Sequence, residues 1–184
     1  FRSAYIKTLV AAIPKSGFAM VDSDTGVSPA SREAALRAAG AVVRGVDLVM
    51  TGAADNAFCA VRPPGHHAER ARAMGFCLFN NIAVGAAQAL ARGIERIAIA
   101  DFDVHHGNGT QDIFWNEPRV LYVSTHQSPL YPGTGARSET GAGNIVNAPL
   151  PPGAGSAQFR AAMSEIVLPR LAQFRPQLVM ISAG

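Results

Sequence analysis

The amino-acid sequence predicts an α/β fold, a parallel β-sheet flanked by helices. Strand-like and helix-like patterns alternate along the chain, which is typical of parallel βαβ construction. The segment Ile97–Ala100 is apolar on both faces, which is the composition of a strand inside such a sheet. Since 48% of the 184 residues are hydrophobic and 16% are charged, the chain can bury one sizeable core, and we expect one domain over residues 1–184.

Three helices are predicted from capping residues and helix-forming composition. The first spans residues 29–44, with Ser28 as its N-cap and proline at the first helical position. The second spans about residues 82–91 and ends where a glycine suits a C-cap. The third covers about residues 158–172, and Pro169 is expected to kink it or end it early.

Four short apolar runs are the predicted strands: residues 58–61, 97–100, 120–123 and 178–181. The first of them stops at a Pro-Pro-Gly sequence that cannot continue a strand. Residues 128–155 are rich in Gly, Pro, Ser and Thr, and only residues 144–148 have an extended pattern. Such a long irregular segment inside a compact domain usually builds a binding surface.

Composition and charge exclude several classes of protein. The formal charge is +3, but the basic residues are scattered, so we expect no direct nucleic-acid binding. The apolar runs are too short for a transmembrane helix or a signal peptide, which predicts a soluble, cytoplasmic protein without membrane contact. Cys59 and Cys77 lie outside any CxxC pair, so no disulfide is expected. No oligomeric state is predicted.

Polar residues follow the predicted strands directly. They are His66 and His67, residues 101–106, residues 124–126 and Gly184. Because ligands of open α/β sheets bind outside the carboxyl ends of the strands, we expect these segments to meet at one site.

The strongest local signal is the DFDVHHGNG sequence of residues 101–109. In an extended segment the side chains of Asp101, Asp103 and His105 fall on the same side, because strand periodicity is two. Carboxylates and an imidazole so placed can bind one divalent cation, and these ligands favour Zn²⁺ or Fe²⁺ over Mg²⁺. The alternative is a set of residues that only cap a strand, although burying so many ionisable groups would then be costly.

Two adjacent histidines, His66 and His67, form the second signal. In a regular strand they would face opposite ways, so an irregular turn is needed to aim both at one site, and Pro-Pro-Gly supplies one. Histidines beside a metal-bound water are natural general acids and bases when a carboxylate orients the ring. A His-His pair by itself is more often part of a surface loop, and residues 101–106 are what favours a function here.

Six segments resemble the zinc-dependent histone deacetylase superfamily, which includes acetylpolyamine amidohydrolases and bacterial deacetylase-like amidohydrolases. They occur in consistent order over nearly the whole chain: RPPGHHA (62–68), GFCLFNN (75–81), DFDVHHGNG (101–109), STH (124–126), YPGTG (131–135) and ISAG (181–184). Asn108, where the first class of these enzymes usually has Asp, indicates the class II-like branch. The resemblance implies a three-layer fold like that of arginase, with a parallel sheet between helices.

The resemblance also implies how the reaction is catalysed. His66 and His67 would handle protons around the metal-bound water. Asp101 would orient His66 through its carboxylate, and Asn108 would orient His67 through a neutral amide. The implied activity is hydrolysis of the acetyl amide of acetylated lysine or of acetylpolyamines.

Two ion sites are implied by the same resemblance. Asp103 and His105 would be two of the three protein ligands of the catalytic Zn²⁺, with Fe²⁺ as the alternative metal. Ser124 and Thr125, together with Asp101, match positions around a structural K⁺ in relatives. Another interpretation is that Ser124 simply bonds a neighbouring group.

A narrow substrate tunnel is implied as well. Gly75, Phe76 and Tyr131 resemble its walls, where aromatic faces suit an aliphatic stem and the polar acetamide reaches the metal. Ordinary packing is the alternative role for Phe76 and Tyr131. Tyr131 stands where the family more often has Phe.

The resemblance further implies a domain that is incomplete at both ends. The chain starts at Phe1, and relatives continue beyond the position of Gly184 into an aspartate, the third zinc ligand, and later a tyrosine that stabilises the oxyanion. The 184-residue chain by itself is therefore expected to bind zinc weakly and to lack turnover.

Two other functions stay open at this point. A non-catalytic module for an acyl ligand or a protein would use the same tunnel and release no acetate. An arginase-like ureohydrolase would need a two-metal set of aspartates and histidines.

Overall fold

The computed structural model describes residues 3–183, and the chain divides into two compact units, Phe1–Arg92 and Gly93–Gly184. Expectations that involve Phe1 or Gly184, including a polar site residue at Gly184, lie outside the described residues. Within residues 3–183 no helix is both long enough and apolar enough to cross a membrane.

The first unit is mainly helical. Its elements are α1 (Ser3–Ala12), β1 (Ala19–Met20), β2 (Gly26–Val27), α2 (Ser31–Met50) and α3 (Asn81–Ala91). The two short strands pair antiparallel, and α2 packs against α3. A buried apolar cluster lies beside α1, and Tyr5 on α1 donates a hydrogen bond to the Leu78 carbonyl at 2.6 Å. Helix α3 confirms the second predicted helix, whereas α1 and the short β-ladder were not predicted.

The second unit is built on a parallel four-stranded sheet, as the sequence predicted. Its strands lie in the order β5-β4-β3-β6: β3 (Ile97–Asp101), β4 (Val120–Gln127), β5 (Ile145–Leu150) and β6 (Leu178–Ser182). The register pairs Asp101 at the end of β3 with Ser124 on β4 and with Ser182 on β6. The carboxyl end of β3 therefore lies beside polar residues of both neighbouring strands.

Helices flank this sheet. They are α4 (Asn108–Phe114), α5 (Ser156–Ala162) and α6 (Leu168–Phe174), and a π-helical turn, Met163–Val167, joins α5 to α6. Pro169 has no N–H to donate, so the regular series of α-helical hydrogen bonds cannot continue through it. The wider π-helical turn comes just before this proline. This confirms the predicted interruption. Val167 of the turn packs on Ala98, Leu121 and Val123 of the sheet.

Two predicted elements were wrong in detail. The first helix begins at Ser31, because the Ser31 hydroxyl accepts a hydrogen bond from the Ser28 N–H at 2.9 Å in a turn that precedes the helix. Residues 58–61 form no strand: Phe58 is 92% exposed, and the Cys59 thiol packs against α2, 3.5 Å from the Ala41 carbonyl oxygen. The run is short and apolar, but it packs Cys59 on a helix and does not pair its backbone with another strand.

Both cysteines are free thiols, as the sequence predicted. Cys77 is buried, and burial raises the pKa of its thiol to about 12. Its thiol donates to the Gly75 carbonyl at 3.2 Å, so Cys77 acts as a small buried residue and not as a nucleophile.

Replacing Asn144 by alanine is expected to lower the free energy of unfolding by about 2 to 4 kcal/mol. The Asn144 amide is buried and donates to three carbonyl oxygens at 2.8, 3.1 and 2.9 Å, those of Phe114, Glu117 and Val120. Alanine would leave these groups, between α4 and β4, without that donor. Denaturant unfolding of the full-length natural protein measures the change.

Asn116 provides the matched control, because it is an exposed asparagine in the same connection. Asn116→Ala should change the free energy of unfolding by less than about 0.5 kcal/mol. Equal values for the two variants would contradict the role given to Asn144.

Candidate functional site

Asp101 ends β3 and is held rigidly by its neighbours. Its carboxylate is 2% exposed, accepts a hydrogen bond from the Tyr122 hydroxyl at 3.3 Å and another from the Asp103 N–H at 3.2 Å. Burial, with the Asp101 charge second, raises the pKa of Tyr122 well above its ordinary value, so the phenol keeps the proton that it donates. These contacts hold the Asp101 carboxyl as a hydrogen-bond acceptor at the carboxyl end of the sheet.

Asp103 and His105 face each other immediately after the strand. Oδ1 of Asp103 lies 3.2 Å from Nδ1 of His105 and also accepts the His105 backbone N–H at 2.7 Å. The sequence predicted an extended segment from Asp101 to His105, but the strand ends at Asp101, and a turn capped by the Asp103 side chain makes the pairing instead. The two side chains do meet on one side, for this different reason.

This pair fits the ligand geometry of a tetrahedral zinc ion. Ligands about 2.0 to 2.2 Å from Zn²⁺ at the tetrahedral angle lie about 3.4 Å apart, close to the observed separation of 3.2 Å between Oδ1 of Asp103 and Nδ1 of His105. Within residues 3–183 no group of three His, Cys, Asp or Glu side chains is placed to hold a metal ion. The described residues thus provide a two-ligand arrangement.

The histidine pair of the first unit is buried as a stack. The rings of His66 and His67 have centroids 4.0 Å apart at an angle of 48°, and each residue is only 5% exposed. A surface-loop role is therefore wrong for this pair, since both imidazoles are buried on an irregular turn as the sequence required.

Two asparagines at the start of α3 hold the histidine turn. The Asn81 amide donates to the Pro63 carbonyl at 3.0 Å, and the Asn80 amide donates to the Ala68 carbonyl at 3.3 Å. Asn80 also caps α3 by accepting the Ala83 N–H at 3.1 Å. In the sequence both asparagines stand out only as the end of the GFCLFNN motif, and two adjacent asparagines at the start of an apolar helix are the signal for a capping role.

Of the predicted tunnel residues in the first unit, Gly75 lies directly beside His67, and Phe76 follows it in the chain. Gly75 (φ +57°) and Phe76 (φ +64°) both have left-handed backbones, and their N–H groups donate to Asp24 at 3.1 Å and Thr25 at 3.0 Å. A Cβ at Gly75 would lie 2.6 Å from Cγ of His67. Phe76 is 62% exposed, so simple core packing does not explain it.

Gly75→Ala is expected to lower catalytic efficiency by about tenfold or more, because its methyl group would displace the His67 ring. Activity of the full-length natural protein and the NMR signal of the His67 ring measure the effect. Gly93→Ala is the control: Gly93 has φ +96°, but a Cβ there meets nothing within 4 Å. Both variants carry the left-handed strain, of order 1 to 2 kcal/mol, so equal activity losses would contradict the proposed contact.

The remaining predicted residues lie in the second unit. The ring of Tyr131 meets the ring of His105 edge-on, with centroids 6.1 Å apart. Asn108 is buried at the start of α4. Ser124 shares a register position with Asp101, and Thr125 follows it on β4. The structure thus brings together His66, His67 and the predicted tunnel residue Gly75 in the first unit. In the second unit it brings Tyr131 beside His105, one of the ion-ligand candidates.

His126 is held inside the second unit by hydrogen bonds at both ring nitrogens. Its Nε2 donates to the Gly135 carbonyl at 3.1 Å, and its Nδ1 lies 2.9 Å from the Ser124 hydroxyl. Burial lowers the pKa of His126, which favours the neutral ring. Nδ1 then accepts, so the Ser124 hydroxyl donates its proton and keeps its lone pairs for another partner.

Sequence reasoning missed a polar network around His106. Nε2 of His106 lies 3.1 Å from the side-chain oxygen of Gln111, whose amide donates to Glu139 at 2.5 Å. Asn147 also donates to the Gln111 oxygen, at 2.8 Å. The residues come from three separate segments, so only the duplicated histidine of the motif could have drawn attention to them.

Glu139 should make the stability of the protein depend on acid pH. Burial would raise the pKa of this carboxyl, but hydrogen bonds from Gln111 and from the Ala136 and Gly135 amides outweigh it and lower the pKa. The stabilisation is therefore present above the ordinary value of about 4.3 and is lost as pH falls through the lower folded value.

The measurement is the difference in free energy of unfolding between the natural protein and Glu139→Gln. We expect about 1 kcal/mol at neutral pH, since Glu139 is only half-buried, and a difference that shrinks below about pH 4. A difference that grows on acidification would show the opposite sign of the pKa shift.

Comparison with known proteins gives one consistent family. A model of the histone deacetylase domain matches residues 2–184. A probable deacetylase of Archaeoglobus fulgidus is 45% identical over 184 residues, which covers 98% of this chain and 51% of that protein. A histone deacetylase-like amidohydrolase of Pseudomonas aeruginosa is 44% identical over 179 residues, covering 94% and 47%. The chain thus spans about half the length of these curated relatives.

Solved structures agree with the sequence matches. The HD domain of HDA15 superposes with a TM-score of 0.93 at 40% identity, over 100% of this chain and 55% of that one. An acetylpolyamine aminohydrolase from Burkholderia pseudomallei gives a TM-score of 0.83 at 38% identity, over 89% and 49%. The predicted fold class is thereby confirmed.

Proposed function

Because the chain belongs to the histone deacetylase domain family, we propose that its protein is a zinc-dependent amidohydrolase that removes acetyl groups from acetylated lysine or acetylpolyamines. We propose that residues 1–184 are part of one catalytic domain and that the protein acts in the cytoplasm. The relatives named deacetylase and acetylpolyamine aminohydrolase support this reaction class.

The observation that carries the proposal is the facing pair of Asp103 and His105. Their ligand atoms, 3.2 Å apart, suit one zinc ion, and Fe²⁺ accepts the same carboxylate and imidazole donors. When bound, the metal supplies a polarised acetamide carbonyl and a more acidic water. The turn that places His105 N–H on Asp103 pre-orients both side chains for this role.

His66 and His67 are proposed to move protons in this reaction. Their rings are buried and stacked, and an imidazole can accept a proton at one ring nitrogen and later return it. Asp101 would orient His66 through its carboxylate, and Asn108 would orient His67 through its amide.

Gly75, Phe76 and Tyr131 are proposed to line the channel for the acetylated side chain. Gly75 leaves room for His67 at its side, and the exposed aromatic rings of Phe76 and Tyr131 offer apolar faces for an aliphatic stem. The amine that leaves is then a lysine or a polyamine, both of which carry such a stem.

A structural potassium ion is proposed at the end of the sheet, held by oxygen atoms of Asp101, Ser124 and Thr125. The Ser124 hydroxyl keeps its lone pairs because it donates to His126. The buried Thr125 hydroxyl has no hydrogen-bond partner within residues 3–183. Oxygen donors of this kind suit a hard monovalent cation.

The test combines metal titration with product analysis on the full-length natural protein. The apoprotein is titrated with Zn²⁺ by calorimetry and then incubated with an acetyl-lysine peptide or N-acetylspermidine. One zinc per chain and release of acetate would support the proposal. Bound peptide without acetate would identify a binding module instead, and two metals per chain would favour an arginase-like site.

A further inference from the structure

A hydrogen-bonded chain of side chains, His106, Gln111 and Glu139, holds the loop segment Thr134–Ala136, and we call this network the clamp. Both ends of the clamp contact the loop: the Thr134 hydroxyl lies 2.8 Å from Nδ1 of His106, and the Gly135 N–H donates to Glu139 at 3.1 Å. His106 and Glu139 are joined by Gln111, at 3.1 and 2.5 Å. Every member is in the second unit.

The direction of each hydrogen bond in this circuit follows from Glu139. Its carboxylate can only accept, so Gln111 must present its amide nitrogen to it and its oxygen to His106. That oxygen also only accepts, so Nε2 of His106 must donate. In the neutral ring Nδ1 is then left to accept from the Thr134 hydroxyl. One carboxylate therefore sets the orientation of the whole chain of side chains.

The loop backbone is held at further points by Glu139 and by His126. Oε1 of Glu139 accepts the Ala136 N–H at 3.1 Å, and the Gly135 carbonyl accepts from His126 at 3.1 Å. Gly135 has φ +90°, and a Cβ there would lie 2.7 Å from Cγ of His106 and 2.5 Å from Nε2 of His126. The segment therefore lies flat on two buried imidazoles, and only glycine fits at its centre.

The clamp is one of two anchors for the stretch that carries Tyr131. On the other side, the Gln127 N–H donates to the Val104 carbonyl and the Ser128 N–H donates to the Leu150 carbonyl, both at 2.8 Å. Tyr131 lies between the two anchors, only a few residues from Ser128 on one side and from Thr134 on the other. The position of the Tyr131 ring beside His105 therefore depends on both anchors. If either anchor were loosened, the backbone that carries Tyr131 would become more mobile.

We propose that Glu139 is a positioning residue that holds Tyr131 in place beside the His105 ring. Glu139 does not touch the substrate in this role; it acts through the amides of Gly135 and Ala136 and through Gln111. Its importance for turnover rests on the proposed function, because Tyr131 is there a wall of the substrate channel.

Glu139→Gln is the informative variant, because it keeps the side-chain volume. All three partners of the carboxylate, Gln111, Gly135 and Ala136, are donors, so the new amide nitrogen must face one of them without an acceptor. Glu117→Gln is the matched control, because the Glu117 carboxylate accepts a hydrogen bond from Arg119 at 2.7 Å on another surface turn.

The first measurement is independent of activity. Arg137 lies exposed between the clamped segment and Glu139, so trypsin cleavage after Arg137 reports loosening of the clamp. Glu139→Gln should raise the cleavage rate by about tenfold, as expected for a lower local opening energy, and Glu117→Gln should leave it unchanged. An unchanged rate in Glu139→Gln would overturn the clamp, whatever the protein catalyses.

The second measurement is a double-mutant cycle in the full-length natural protein with an acetyl-lysine peptide. Glu139→Gln should raise KM about 5- to 10-fold with kcat changed less than twofold and metal content unchanged, and in a Tyr131→Ala background the same substitution should raise KM less than twofold. Equal KM changes in both backgrounds would mean that Glu139 does not act through Tyr131. Absence of acetate release by the natural protein would refute the proposed function, and the proteolysis result would still decide the clamp.

Discussion

Replacing His67 by alanine in the full-length natural protein is expected to lower amide hydrolysis by about 10² or more while zinc remains bound. His67 lies in a buried stack with His66 on a turn held by Asn81, and the Gly75 backbone leaves no free space beside its ring. Alanine removes the group proposed to transfer the proton to the leaving amine. Steady-state kinetics with an acetyl-lysine peptide and metal analysis measure the two effects.

His67→Gln separates proton transfer from packing. Glutamine fills much of the same space and can hydrogen-bond, but it cannot carry a proton near neutral pH, so its activity should fall as far as that of the alanine variant. Phe58→Ala serves as the control, because Phe58 is an almost fully exposed side chain of the same unit. Activity in His67→Ala equal to that of the natural protein would refute the catalytic role.

Asp103→Ala is expected to lose metal and activity together. Asp103 faces His105 at 3.2 Å as one of the two proposed zinc ligands, and a catalytic zinc site uses three protein ligands and one open position. Removing one ligand would lower zinc affinity, and we expect less than about a tenth of an equivalent after purification, with activity reduced by at least 10².

Asp103→Asn distinguishes ligand loss from a local collapse of the turn. The amide oxygen can still accept the His105 N–H, so the turn should persist, but the neutral group is a poorer metal ligand than a carboxylate. Asp55→Ala, at an exposed aspartate of the other unit, is the control. Asp103→Ala purified with a full equivalent of tightly held zinc would show that Asp103 is not a ligand.

The sheet could be predicted because its signal is local. Residues 97–100, 120–123 and 178–181 are continuous apolar runs, and each lies within a strand that pairs in parallel. Residues 58–61 show the limit of this signal, since an equally apolar run packs its cysteine on α2 and forms no strand. The residues of a short apolar run do not specify which segment of the chain will pack against it. That neighbouring segment determines whether the run pairs as a β-strand or stays irregular.

The site could be predicted in part for a similar reason. The metal-ligand candidates Asp103 and His105 are two residues apart, so their pairing is a property of one short segment. The histidine pair, likewise, is a single turn. The Asn80 and Asn81 supports were missed because their carbonyl partners lie 12 and 18 residues away, a distance over which residue spacing carries no geometric information.

The sequence by itself determined the alternation of apolar strands and helices, the family motifs, and the placement of ionisable side chains immediately after β3. The tertiary structure alone decided how the irregular segment 128–144 is ordered. Glu139 meets Gln111, 28 residues away, and Asn144 meets three carbonyls 24 to 30 residues away. Irregular backbone has no repeating pattern to read, so its polar groups are satisfied by whichever distant side chains the packed sheet brings within hydrogen-bond distance.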